Sequence, residues 1–294
     1  MRRFHLPVMN PLRLIGIGGM FVLCLWTLNA QDKASILLPE NPSVPVIVLD
    51  YQDGFVWSPR ENPDPYLVIY SDGRVVASDA AFKAKVMEAR IATDELQSLL
   101  HFIIDDQHFF EIDSAATRQQ VRRLNSVVGI GEVSDGSTTV IRIQTRSQNH
   151  EARYYMLDFY ARHYSDVTAL AQLSQVERLL HRQYATTMAG SPENVARAAA
   201  QINDYVKTHP ELPSVSPADL MSAEPRRADG SQSMYFVHEI GDKEARFNVM
   251  YTPGGLPSVQ SFIVAGDPPT TSSEFLQRMT DFINNFPATV TTTR

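Results

Sequence analysis

Apolar and polar residues follow two rhythms along this chain. Alternating or continuous β-branched runs mark VPVIVLDY (44–51), YLVIY (66–70), GRVVAS (73–78), 85–91, STTVIRIQT (137–145) and EARYYMLDF (151–159). The same rhythm returns at SMYFVHEI (233–240), EARFNVMYT (244–252) and SVQSFIVAG (258–266). Such runs predict strands. Ser71-Asp72-Gly73 sits between two of them, and Asp-Gly is a strong hairpin signal.

A 3.6-residue period takes over elsewhere. Thr93 is the expected cap of a helix reaching about residue 108, with Asp94 and Glu95 in its first turn to favour the helix dipole. Leu170, Leu173, Val176, Leu180 and Tyr184 form an apolar stripe within a helix expected over 166–184. Ser191-Pro192 opens VARAAAQINDYV as an N-cap with proline in the first turn. Thr271 to Glu274 is a capping box ahead of Phe275, Leu276, Met279, Phe282, Ile283 and Phe286. ATRQQVRRLNSVVGIGEVSDG (116–136) is expected to be a loop or short helix, and the proline-bearing 208–233 a linker-like excursion.

Strands followed by a helix thus recur at 66–108, 138–184 and 234–286. Hairpins leading into helices predict an α+β fold of antiparallel sheets with helices packed on one face. The chain has 294 residues, which suggests two domains, expected at 44–187 and 188–288 after an arm over 31–43. A frayed tail is expected at 289–294.

The hairpin IYSDGRVV, the helix ELQSLLHFIIDDQHFF and the later DGSTTVIRI strand together resemble an uncharacterised exported bacterial domain of unknown function. The likeness spans about residues 44–185. It implies an exported α+β domain and carries over no catalytic residue.

The N-terminus changes the picture of where the protein works. Arg2, Arg3 and Arg13 precede an apolar run from Leu14 to Leu28, and Leu28-Asn29-Ala30 offers a small residue at a cleavage point. This reads as a signal peptide cleaved after Ala30; the apolar run is shorter than the roughly 18–20 residues that span a bilayer. A retained anchor is the alternative. Cleavage removes Cys24, the only cysteine, so thiol catalysis, thiolate ligands and disulfides are excluded from the mature chain. It also leaves 23 basic residues against 33 acidic ones, a net charge of −10. That balance argues against nucleic acid or an anionic membrane as the main partner. The expected location is extracytoplasmic, with no membrane span after cleavage, and the expected partner is an extracytoplasmic protein or polymer.

Candidate chemistry is sparse. LHFIIDDQHFFEID (100–113) places His101, Asp105 and His108 at i, i+4 and i+7, a spacing that would let a helix present two imidazoles and a carboxylate to zinc or copper. On a helical wheel these three face away from Leu96, Leu99, Leu100, Ile103 and Ile104. The same pattern therefore describes a solvated helix face, and no cofactor is expected beyond that possible divalent metal. NHEARYYMLDFYARHYSD supplies Tyr154, Tyr155, Tyr160 and His163, an aromatic set able to form a ligand platform or to fill a strand–helix junction. GIGEVSDG (129–136) lacks the lysine of a P-loop and the spacing of a dinucleotide site. No G-x-S-x-G elbow is present, and none of Lys33, Lys83, Lys85, Lys207 or Lys243 follows a serine by three positions. The sequence therefore points first to a non-catalytic binding or scaffold protein. A hydrolase of an envelope or extracellular polymer, built from distant residues, and a metal-binding protein are the alternatives.

Overall fold

A computed structural model describes residues 34–52, 65–78, 86–128, 136–241 and 243–265. The expected signal segment over 1–30, the expected helix over 271–286 and the expected frayed tail lie outside the described residues. The chain divides into two units, Met1–Ile36 and Leu37–Arg294, and every described strand and helix belongs to the second.

Strands β1 (Pro45–Gln52), β2 (Leu67–Tyr70), β3 (Arg74–Ser78) and β4 (Val86–Arg90) form where the β-branched runs predict them. With β5 (Thr138–Gln144) and β6 (Asn149–Tyr155) they build one antiparallel sheet in the order β4-β3-β2-β1-β5-β6. Side chains alternate across a sheet, so register fixes the rows of its core face. One row runs Val75, Ile69, Ile47, Ile143; the next runs Ala77, Leu67, Leu49, Ile141, Ala152. All nine are buried.

The Asp-Gly hairpin is tight. Gly73 N–H donates to the Tyr70 carbonyl, its φ is +80°, and its own carbonyl accepts from Ile91 N–H. A Cβ at Gly73 would stand 2.4 Å from the Ile91 carbonyl oxygen. Gly73→Ala should therefore cost about 1–3 kcal/mol through left-handed strain and backbone displacement. A urea midpoint equal to wild type would refute this.

The second sheet is also antiparallel, in the order β10-β9-β8-β7. It comprises β7 (Leu220–Ala223), β8 (Gln232–Ile240), β9 (Lys243–Tyr251) and β10 (Ser258–Ala265). Phe236 pairs with Phe247 and Met234 with Val249, giving its buried rows. β7 corrects the linker expected over 208–233. Its four residues are too short for periodicity to reveal, and a capping box from Ser216 to Asp219 delivers the chain into it.

Among the described residues five helices complete the α+β fold: α1 (Thr93–His101), α2 (Ser114–Val128), α3 (Leu157–His163), α4 (Thr168–Met188) and α5 (Pro192–Val206). Ser191 caps α5 as expected, its hydroxyl accepting from Asn194 N–H at 3.3 Å. α1 differs from expectation: Ala92 occupies the N-cap without a side-chain bond, and Thr93 is the first helical residue. The α4 stripe buries Leu170, Leu173, Val176 and Leu180. This helix packs against β1, β3 and β4 of the first sheet and against β7 of the second, while α5 covers β9 and β10. The domain boundary expected between residues 187 and 188 falls in the last turn of α4, just ahead of the joint to α5. Among the described residues no helix is long and apolar enough to cross a membrane.

Candidate functional site

The end of LHFIIDDQHFFEID departs from regular structure three times in succession. α1 stops at His101 and passes into a π-turn, Phe102–Asp106, closed by Gln107 N–H to the Phe102 carbonyl at 2.9 Å. His108 then adopts a left-handed conformation, φ 49°. A 3-10 turn follows over Phe109–Glu111. Non-glycine residues with positive φ and π-turns are costly, and both concentrate at functional positions. The packing that holds them is plain: Phe109 is fully buried and Ile112 nearly so.

The π-turn moves everything after it off the helical wheel. His101 Nδ1–H donates to Asp105 Oδ2 at 2.7 Å, and its side chain is only 14% exposed. His108 instead lies 3.6 Å from Glu111 Oε1 and is largely exposed. The structure thus brings His101 and Asp105 together and directs His108 to another neighbour. Among the described residues no group of three His, Cys, Asp or Glu side chains is arranged to hold a metal ion.

The turn leads directly into α2, a helix of fifteen residues where a loop or short helix is expected. Its buried positions include Thr117 and Val121, a stripe too thin to stand out, but its Ala, Arg, Gln and Leu content favours helix. Asp113 caps it, Oδ1 accepting from Ala115 N–H at 2.8 Å and Ala116 N–H at 3.0 Å. Those bonds, first that from Ala116, hold the Asp113 carboxyl below its ordinary range. Asp113-Ser114 ahead of a helix-forming run was the sequence signal for this element.

Three hydrogen bonds, at His150 and Arg153, dock the turn and α2 onto β6, an outer strand of the first sheet. His150 Nε2–H donates to the Ile112 carbonyl at 2.9 Å, which fixes that tautomer because a carbonyl only accepts. Phe109 meets the same imidazole edge-on at 5.4 Å. Farther along, Arg153 N–H donates to Ser114 Oγ at 3.0 Å, and Arg118 donates to the Arg153 carbonyl at 3.1 Å.

Grooves open on either side of this turn. The first, about 440 Å³, is lined by Phe110, Ile112, Ala115, Arg118, Glu151 and Arg153 among others. The second, about 410 Å³, is lined by His108, Gln120, Asp166, Thr168 and Gln172. Glu111 and Ile112 border both. The first groove mixes charges. Glu151 is paired with Arg142 at 2.6 Å and with Arg153 at 3.1 Å.

The aromatic set lies nearby, with Tyr154 buried and Tyr155, Tyr160 and His163 half-buried. Tyr154 is 3% exposed, meets Tyr160 edge-on at 6.0 Å, and has its hydroxyl pushed up to about 12 by burial and by Tyr160. Tyr160 stacks on Tyr164 at 6.2 Å, and Phe159 faces His163 at 4.2 Å. The Tyr155 hydroxyl accepts from Gly136 N–H at 2.8 Å. β6 ends at Tyr155, and left-handed Met156 turns the chain into α3, so LDF is helix and not strand. GIGEVSD (129–135) lies outside the described residues.

Local sequence reading missed one polar cluster. Glu177, 8% exposed on α4, accepts from Thr139 Oγ1 at 2.8 Å and is hydrogen-bonded by Tyr51. Thr139 and Tyr51 are partners across β5 and β1. Burial pushes the Glu177 carboxyl up, and burial with Glu177 pushes the Tyr51 hydroxyl up. One turn on, burial pushes the His181 imidazole down, against a hydrogen bond with the Met221 main chain. Glu177 borders neither groove.

No family model, curated protein or solved structure matches the chain.

Proposed function

We propose that this is an exported, non-catalytic binding or scaffold protein that engages an extracytoplasmic protein or polymer at the grooves flanking residues 108–113. The observation that carries this reading is the pairing of two adjoining grooves on one turn. That turn is seated by the buried Phe109 and Ile112 and tied to β6 by His150 and Arg153. Binding sites favour concave, pre-formed surfaces with a few placed polar groups. Export is supported by the basic, apolar and small-residue order of residues 1–30 and by the resemblance over 44–185.

The test uses the mature chain from Gln31 with a photo-crosslinker at Ala115 in the first groove, or at Glu88 on β4 as control. Incubation with an extracytoplasmic extract should give a crosslinked species from Ala115 that is absent from Glu88. Bound metal is measured on the same material. Turnover of a polymer substrate without a groove-specific crosslink would overturn the reading.

A further inference from the structure

The ladder between β5 and β6 shows which main-chain groups face the first groove. Thr145 N–H bonds to the Gln148 carbonyl at 2.8 Å and Met156 N–H to the Ser137 carbonyl at 2.9 Å. Bonded and non-bonded pairs alternate along an antiparallel ladder. The pairs Ile143–His150, Ile141–Ala152 and Thr139–Tyr154 therefore exchange bonds across it. Asn149, Glu151 and Arg153 turn their N–H and C=O outward. Arg153 shows this directly, because both its groups are met from outside by Ser114 and Arg118. Glu151 has the same orientation two residues earlier and borders the groove. Outside the β5–β6 pair, no hydrogen bond to the main chain of Asn149 or Glu151 is formed among the described residues.

We propose that this edge takes one extended polypeptide segment from a partner protein, added to the sheet beside Asn149–Glu151 with an acidic side chain toward Arg118. The proposal rests on the binding reading above and names its partner class. Donor and acceptor pairs repeating every second residue, about 6.8 Å apart, are complemented by another strand's backbone. Phe110, Ile112 and Ala115 wall the groove with apolar surface for alternate side chains. Charge selects the segment further. Arg118 bonds the Arg153 carbonyl and has no carboxylate at ion-pair distance among the described residues. Of the acids lining the groove, Asp113 is engaged by the α2 amides, Glu151 by Arg142 and Arg153, and Glu111 lies 3.6 Å from His108. Ser114 Oγ on Arg153 N–H sets where the added strand must stop.

The experiment uses the isotope-labelled mature chain and a pool of eight-residue peptides in which Val, Ile and Thr alternate with Asp. In the free protein the Glu151 amide should exchange rapidly and the Ala152 amide slowly. Saturating peptide should protect Glu151. N-methylating one alternate set of peptide amides should weaken binding at least about tenfold, and methylating the other set should not, because only one set meets the edge. Glu151→Pro removes the outward N–H, a substitution an edge strand tolerates, and should lose binding by a similar factor. Arg118→Gln should weaken it while removing the preference for Asp. Equal binding by both methylated pools, or unchanged binding by Glu151→Pro, would overturn the proposal. A groove crosslink to a polysaccharide with no peptide bound would sink this inference and leave the binding reading standing. Neither crosslink nor peptide would sink both.

Discussion

Phe109→Ala is expected to lower unfolding stability by about 3–5 kcal/mol, the range for emptying a fully enclosed phenylalanine site. The ring is the peg on which the irregular turn hangs. It is flanked by a left-handed residue and a π-turn, neither of which is a low-energy local choice. It also holds the His150 imidazole edge-on at 5.4 Å, and that imidazole bonds the Ile112 carbonyl. Truncation should therefore do more than leave a cavity. The 108–113 segment should relax, and both grooves should lose their common wall. Urea unfolding at constant slope gives the stability change. Amide exchange across Gln107–Ala116 gives the local part, expected to rise well beyond that of a similarly costly core truncation elsewhere, such as Phe247→Ala. A loss below about 1 kcal/mol, or exchange no faster than in Phe247→Ala, would show that the turn is held by something else.

Glu177 should give the strongest dependence of a mutational effect on pH. Its carboxyl is pushed up by burial, so the stability it contributes is fully present below its ordinary value of 4.5. That contribution is lost as pH rises through the folded-state value. At pH 4, Glu177→Ala removes the partner of the Thr139 and Tyr51 hydroxyls and leaves space behind, a loss of about 2–4 kcal/mol. As pH rises the wild type must either retain the proton or bury a charge, and the gap to alanine should narrow. Glu177→Gln keeps an acceptor for Thr139 without the charge, so it should match wild type near pH 4 and exceed it at pH 8. His181 works in the other direction. Its lowered value adds stability above its ordinary 6.5 that is lost as pH falls through the folded-state value. The effects of Glu177 and His181 are separable for that reason. A glutamine variant less stable than wild type at pH 8 would mean that the carboxylate is well solvated or well paired in the folded protein.

Regular elements were legible in the sequence, and their interruptions were not. The β-branched runs, the Asp-Gly hairpin, the α4 stripe and the Ser191 cap each express a local preference that packing then reinforces. The wheel drawn through Leu96 to His108 went astray because it assumed one period throughout. A single π-turn after His101 adds a residue to the turn and sends His108 to Glu111 and not to Asp105. α2 escaped because its buried stripe is thin, and β7 because four residues hold no readable period. Glu177 could not be paired with Tyr51 and Thr139 in advance. Those residues stand 126 and 38 positions away and meet only through the register of β1 on β5. The edge at Glu151 is a further case. Which amides face outward follows from ladder parity, which no side-chain pattern encodes.

The placement of α4 bears on how the protein comes apart. This helix serves two sheets at once, walling β1, β3 and β4 with one part of its surface and β7 with another. Neither sheet can shed it without baring apolar rows on both. Loss of order in one should therefore pull down the other, and heating should give a single cooperative transition despite the two-sheet plan. A nick at the Gly190–Ser191 joint would separate two fragments, and the C-terminal one would carry β7 without its cover. The boundary that reads most naturally in the sequence is thus a poor place to divide the folded protein.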